Sequence, residues 1–255
     1  IDTPYSIADG MFCCNKRRTK PENPWDKERF EKNMHKFVDL SLPSDEWGFA
    51  VLNEGKYAYD TLDPQTVRIS LHRSPKYPDP ASEAWVQSER QQRLKTEGTS
   101  VPSHIGIGKT SAHYALFLHG SDSMAQAEKV GNVGVRIAAE EFNTPLLVIT
   151  GHPSFSFNTI IERVEPSNII ISALKVNEWE KKPQLIIRIT EICGIKGTGS
   201  IFLSTYFSQK FGNVQEVDYL ERPLNRPVFW RKELRCLEVN LGPFEVVSVA
   251  FDLLS

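Results

Sequence analysis

The 255-residue sequence has no surplus of positive charge: 30 Lys and Arg residues stand against 32 Asp and Glu residues, for a formal net charge of −2. A protein that binds nucleic acid or an anionic membrane needs basic side chains in excess to neutralise phosphates. We therefore expect neither nucleic acid nor a membrane among its partners. No run of eighteen apolar residues occurs either, so the sequence predicts no transmembrane helix.

Cysteine is scarce, and no CxxC, HExxH or similar ligand spacing occurs among the cysteines and the six histidines. We therefore predict no metal site and no cofactor in this chain. Free thiols favour a reducing compartment, so we expect a cytoplasmic protein, with the vacuole or lysosome as the alternative. The absence of any Asn-x-Ser/Thr site agrees with this expectation. The cysteines are Cys13, Cys14, Cys193 and Cys236.

Two short segments resemble the sequence motifs of catalytic loops, but each lacks a glycine that its motif requires. IGIGKTS at 105–111 lacks the first glycine of a Walker-type phosphate loop, because Ser103 stands at that position, and no long helix is predicted after it. GHPSFSF at 151–157 lacks the second glycine of a G-x-S-x-G elbow. No pair of carboxylates is singled out by spacing, since Asp60, Asp63 and Asp79 occupy predicted turns. We therefore predict no catalytic residue in this chain.

Short segments rich in β-branched and aromatic residues recur along the chain, and most of them alternate apolar and polar residues. In TVRISL, Val67, Ile69 and Leu71 point to one face and the polar residues to the other. One buried and one solvated face is typical of stacked antiparallel sheets. The predicted strands are 48–52, 66–71, 112–119, 146–149, 169–174, 185–192, 200–207, 214–220, 235–241 and 244–252.

The fold class predicted from this pattern is mostly β, with antiparallel β-sandwich domains. Spacings near three and four predict one helix at 123–142, ended by Asn143-Thr144-Pro145, and residues 26–37 are either a shorter helix or an ordered loop. A boundary near Gly151 divides the chain into a large β-sandwich region at 1–152 and a small C-terminal β-sandwich at 153–255. The polar stretch 79–108 is predicted to be an exposed insertion or a mobile loop.

The loop LHRSPKYPDP is the most distinctive local feature. Its three prolines stiffen the backbone after a predicted strand and project Arg73, Lys76 and Tyr77. A guanidinium held in this way can contact a carboxylate or sugar hydroxyls. The alternative is that Arg73 pairs with a neighbouring acid and Tyr77 simply packs.

Seven segments, in the same order over nearly the whole chain, resemble the C-terminal half of the α-mannosidases of glycoside hydrolase family 38, most closely the vacuolar, cytosolic and prokaryotic branch. One departure is Ala58, where family members usually carry glycine. The segments are TKPENPWDKERFEKNMHKFVDLS (19–41), GFAVLNEGKYAYD (48–60), VRISLHRSPKYPDP (67–80), HYALFLHG (113–120), EEFNTPL (140–146), VEPSNIIISAL (164–174) and LGPFEVVSVAF (241–251).

The resemblance implies a retaining enzyme that removes terminal α-linked mannose from oligosaccharides. It also implies that the nucleophile, the acid/base and a zinc ion belong to an N-terminal catalytic barrel that this sequence does not contain. The opening IDTPYSIADG, without an initiator Met, fits a part of a longer protein. We therefore expect this chain to pack on the barrel, to shape the substrate pocket and to be inactive alone. The resemblance makes Arg73 the candidate substrate-binding residue.

Two other functions stay open at this point. An independent carbohydrate-binding module would need a platform of exposed aromatic rings, which Trp85, Trp179 and Trp230 could supply. An oligomerisation module, including a homo-oligomer, would need an exposed apolar patch.

Overall fold

A computed structural model describes residues 3–42, 46–75, 106–120, 130–148, 150–151, 159–179 and 182–254, with the single residues 88, 92 and 104. The described chain is mostly antiparallel β-sheet, which confirms the predicted fold class. No helix in these ranges is long and apolar enough to cross a membrane. The predicted boundary at 152/153 lies outside the described residues and stays a prediction, and most of the predicted insertion at 79–108 lies outside them too.

The N-terminal part contains a five-stranded sheet of order β2-β1-β4-β5-β8 and a three-stranded sheet of order β3-β6-β7. The alternation that predicted 48–52 and 112–119 as strands is confirmed by β5 and β8, which pair along their whole length. The strands are β1 (Tyr5–Asp9), β2 (Cys14–Arg18), β3 (Glu31–Asn33), β4 (Phe37–Ser41), β5 (Trp47–Glu54), β6 (Ala58–Asp60), β7 (Arg68–Ile69) and β8 (His113–Gly120).

The three-stranded sheet covers one face of the five-stranded sheet. Tyr59 of β6 is fully buried between them, packs against Val38 and Val51, and its hydroxyl lies 3.0 Å from Ser6 Oγ. Phe49 and Ile69 pack at the edge of this cluster. The buried apolar area of such a core is the main stabilising term of the fold.

One long helix covers the opposite face of the five-stranded sheet. Helix α2 (Val133–Asn143) buries Val135 and Ala139 against β4 and β5, and the Asn132 side chain caps it by accepting from Val135 N. The predicted helix end at Asn143 is confirmed, but 130–132 are not helical. Gly131 has φ +86°, a left-handed conformation that suits a residue just before a helix but not one inside it.

Two four-stranded sheets form the C-terminal sandwich, in the orders β10-β11-β16-β13 and β14-β15-β12-β9. Their inner faces meet in one apolar core around Ile187, Leu203 and Phe251, where Phe211 contacts Phe251 edge-on at 4.7 Å. The elements are β9 (Ile161–Glu165), β10 (Ile169–Val176), β11 (Gln184–Glu191), β12 (Gly197–Leu203), α3 (Thr205–Ser208), β13 (Phe211–Val217), β14 (Phe229–Arg231), β15 (Cys236–Leu241) and β16 (Val246–Leu253).

The turn residues Asn53 to Gly55 between GFAVLN and TVRISL predict that these two strands pair with each other, and the structure corrects this prediction. β5 pairs with β4 and β8 instead, while β7 pairs with β6 in the other sheet. The cause is the tight turn after β5, where Gly55 takes φ +72° and the Asn53 side chain donates to the Lys56 and His35 carbonyls. After this turn the chain enters the three-stranded sheet as β6, instead of returning along β5 in the five-stranded sheet.

Three other predicted elements are corrected. The segment 146–148 is irregular rather than a strand, and its three apolar side chains are exposed. The strand predicted at 200–207 ends at Leu203, because Ser204 caps the short helix α3 by accepting from Phe207 N. At 26–37, the helical alternative is limited to α1 (Pro24–Glu28), and the rest holds β3, the first residue of β4 and irregular segments.

Candidate functional site

Arg73, the predicted substrate-binding residue, lies in an irregular exposed segment after β7. The backbone beneath it is supported by Gly106, because a Cβ on that glycine would lie 2.8 Å from the Arg73 carbonyl oxygen. The close approach and the φ of +74° at Gly106 both require glycine. Lys76 and Tyr77, predicted with Arg73, lie outside the described residues, so the structure places only the arginine.

An open apolar groove of about 540 Å³ lies beside the Arg73 segment. Leu71, two residues before Arg73, forms part of its wall. The rest of the wall comes from both N-terminal sheets and includes Leu40, Phe49, Val67, Ile69, Tyr114 and Leu116. The groove therefore brings the Arg73 loop next to strand β8, a juxtaposition that sequence spacing did not reveal.

Strand β8 carries an exposed apolar face. Ala115 and Phe117 point toward helix α2, whereas Tyr114, Leu116 and Leu118 alternate to the other side, where Leu116 is 66% and Leu118 74% exposed. We call these last three residues the β8 face. Within the described ranges, β8 is also the edge strand of its sheet. Large exposed apolar patches and open edges are typical of interaction surfaces.

A buried histidine–aspartate pair that the sequence did not reveal links β8 to β4. His119 Nε2 lies 3.0 Å from Asp39 Oδ1, and the Ser41 hydroxyl donates to Asp39 Oδ2 at 2.8 Å. In a hydrolytic triad the serine would contact the histidine, not the aspartate. Gly48 permits this packing, since a Cβ there would lie 2.5 Å from the His119 ring. The arrangement is therefore structural, a polar link between adjacent strands.

A second buried cluster ties helix α2 to the β1–β2 hairpin. Arg136 Nη1 lies 3.1 Å from Asp9 Oδ1 and donates to the Cys13 carbonyl and the Cys14 sulfur. Burial raises the pKa of the Asp9 carboxyl, an effect that the Arg136 guanidinium partly offsets. Burial raises the pKa of the Cys14 thiol to about 11. A thiol with that pKa is a poor nucleophile, so Cys14 does not fit a catalytic role.

The described residues do not support an aromatic sugar platform. Trp230 packs into the C-terminal core, edge-on to Phe211 at 5.1 Å, and so does not offer a free ring face beside the exposed Trp179. Trp85 lies outside the described residues. In the same ranges, no three His, Cys, Asp or Glu side chains lie close enough to share a metal ion.

Comparisons with known proteins match the N-terminal part and the C-terminal sandwich to two separate family models. The model of the glycosyl hydrolases family 38 C-terminal domain matches residues 3–81. The model of the glycosyl hydrolases family 38 C-terminal beta sandwich domain matches residues 168–249. The second match falls on the two four-stranded sheets, and the two matches together cover more than half of the chain.

Relatives and solved structures extend the similarity over the whole chain. The alpha-mannosidase of Saccharomyces cerevisiae is 24% identical over 97% of this chain and 21% of its own length. Alpha-mannosidase G of Dictyostelium discoideum is 45% identical over 65% of this chain and 16% of its own length. The crystal structure of an alpha-mannosidase from Enterococcus faecalis superposes with a TM-score of 0.69 at 18% identity, over 99% of this chain and 24% of that one.

Two of the relatives match nearly the whole of this chain, and the chain spans about a fifth of their length. Both family models describe C-terminal regions, and they match in chain order. The resemblance found in the sequence is confirmed: the chain belongs to glycosyl hydrolase family 38, as a C-terminal portion.

Proposed function

We propose that this chain is the C-terminal β portion of a retaining α-mannosidase that hydrolyses terminal α-linked mannose in oligosaccharides. The relatives named alpha-mannosidase support the activity of the whole protein, and their much greater length supports a catalytic portion elsewhere. In this proposal the chain packs on the catalytic portion and completes one wall of the substrate pocket.

The single observation that carries this role is the position of the β8 face. Its exposed leucines sit on an edge strand, beside a groove whose wall continues into the Arg73 loop. Burying this surface against the catalytic portion would remove apolar area from water, at roughly 25 cal/mol per Å². The same contact would bring Arg73 next to the catalytic portion, where its guanidinium could donate to sugar hydroxyls.

The zinc ion that the family resemblance implies belongs, in this proposal, to the catalytic portion. Zinc sites in proteins need at least three protein ligands from His, Cys, Asp or Glu. The described residues of this chain bring no such set together, so they do not fit the metal. None of the four cysteines forms a disulfide, which supports a reducing, cytoplasmic location, with the vacuole or lysosome as the alternative.

Replacing the candidate pocket arginine tests this function directly. In the full-length protein, Arg73→Gln should lower kcat/KM for an α-mannoside by about 10- to 100-fold, the loss typical of a charge-assisted hydrogen bond to substrate. Because Arg73 is exposed, circular dichroism and the melting temperature should not change. Arg73→Lys keeps the charge but loses the planar fork, and it should recover only part of the activity.

Arg222→Gln is the matched control, because it removes an exposed arginine from the C-terminal sandwich. It should leave kcat/KM unchanged. If the Arg73→Gln variant were as active as the wild type, Arg73 would not be a substrate-binding residue.

A further inference from the structure

A cleft of about 290 Å³ in the N-terminal part concentrates positive charge in a chain that is slightly acidic overall. It lies between the end of β2, the segment around α1, and β3. Among the described residues that line the cleft, Asp26 provides one carboxylate against five cationic side chains. The five cations, which define the basic cleft, are Arg17, Arg18, Lys20, Arg29 and Lys32.

The buried residue of this set is Lys32, which is only 9% exposed. Its ammonium donates to the Arg18 carbonyl at 2.9 Å and to the Thr61 hydroxyl, and Thr61 in turn donates to the Thr19 carbonyl. These partners are neutral, and within the described chain no carboxylate forms an ion pair with Lys32. A buried ammonium without a counter-charge is costly, because it has left water without gaining an anion.

The electrostatics of Lys32 agree with a shortage of negative charge. Burial, and then the nearby Arg17 guanidinium, lower the pKa of Lys32, and the carboxylates of Asp60 and Asp26 oppose this shift only in part. An anion bound in the cleft would, like those carboxylates, raise the pKa of Lys32.

The exposed cations of the wall are largely without acidic partners. Arg17 donates to the neutral Asn33 side chain at 2.9 Å, and Arg29 lies over the Trp25 ring. Among the described residues, Arg18 is the one cleft cation that pairs with a carboxylate, that of Glu22. Guanidinium groups that are not already committed to carboxylates can bind oxyanions through two parallel N–H donors.

We propose that the basic cleft binds a phosphate group, either free inorganic phosphate or the phosphate of a sugar monoester. The buried ammonium and the guanidinium groups that line the cleft match the charge and the several acceptor oxygens of a phosphate. The site uses none of the residues placed beside Arg73. It therefore goes beyond the proposed glycosidase function and does not depend on it.

Titration calorimetry on the full 255-residue chain distinguishes the sources of the phosphate. Inorganic phosphate and a hexose 6-phosphate should both bind, whereas the unphosphorylated hexose should not. Equal affinity for the two phosphates assigns the site to the phosphate group alone, and at least tenfold tighter binding of the hexose phosphate assigns it to a sugar monoester. No binding of either at low ionic strength would overturn the proposal.

Substitutions at exposed cleft residues test the site, because they should leave the stability of the fold nearly unchanged. Arg17→Gln and Arg29→Gln should each weaken phosphate binding by about tenfold, as expected for loss of one charge-assisted contact. Binding should also weaken as salt is raised. Arg222→Gln, outside the cleft, should leave the affinity unchanged. If all three variants bind phosphate like the wild type, or all three weaken it equally, the cleft is not the site.

Discussion

Glu191→Ala should lower the free energy of unfolding by about 3–5 kcal/mol, because it leaves several buried donors without an acceptor. The Glu191 carboxylate at the end of β11 is buried and accepts four hydrogen bonds. The donors are the Asn168 side chain and the backbone N–H groups of Cys193, Gly194 and Phe244, all at 2.7–2.8 Å.

The carboxylate also fixes an unusual backbone. Gly194 and Phe244 both have positive φ, and a Cβ on Gly194 would lie 2.8 Å from the Phe244 ring. A left-handed phenylalanine costs about 1–2 kcal/mol, so it persists only where the surroundings hold it. Both residues donate to the same Glu191 oxygen, which holds the two turns together.

Loss of Glu191 should also loosen the connection to the N-terminal part. The Cys193 carbonyl accepts from Val130 N at 2.9 Å, and the Cys193 side chain packs with Val133 at the start of helix α2. In the variant, the buried Cys193 thiol should therefore react faster with a thiol reagent, as followed by mass spectrometry.

Chemical denaturation measures the stability change itself. The control is Glu238→Ala, which removes a carboxylate that pairs with the exposed Arg231 on the same sandwich, and it should leave the midpoint nearly unchanged. If Glu191→Ala unfolded at the same denaturant concentration as the control, the buried acceptor would not be a major source of stability.

The paired substitution Leu116→Asp with Leu118→Asp should weaken binding of the chain to the catalytic portion by about a thousandfold. Each leucine contributes about 1.5–3 kcal/mol when it passes from water to an apolar interface, and together they account for that factor. Because both side chains are exposed in this structure, the variant should keep its secondary structure and its melting temperature.

Analytical ultracentrifugation of the separately produced portions measures the loss of binding. The matched control replaces two exposed apolar residues of the C-terminal sandwich, Leu234→Asp with Val176→Asp. It should bind like the wild type. If both paired variants bound the catalytic portion with the same affinity, the β8 face would not be the docking surface.

Local alternation of apolar residues carried much of the fold prediction. It correctly indicated β5, β8 and most strands of the C-terminal sandwich, because one face of each is buried and the pattern has a period of two. It missed β2, whose sequence CNKRR has no apolar face, because that strand lies at a sheet edge and is held by backbone pairing to β1. It wrongly predicted a strand at 146–149, where a short apolar run follows the end of helix α2.

The contacts that build the sites were harder to predict, because they join residues far apart in the chain. His119 and Asp39 are separated by 80 positions, and Arg136 and Cys14 by 122. No spacing rule reaches that far, since strand order decides which segments meet. The substrate-binding role of Arg73 comes from its family motif and stays a prediction; the structure adds the groove beside it and the β8 face.

Hydrolysis of an aryl α-mannoside, measured with zinc present, tests whether the bond-breaking groups lie outside this chain. The 255-residue chain alone should show no turnover above background, and the full-length protein should release the aryl group. Turnover by the isolated chain would contradict the claim that the bond-breaking groups lie elsewhere. A full-length protein that left α-mannosides intact would contradict the assignment of its activity.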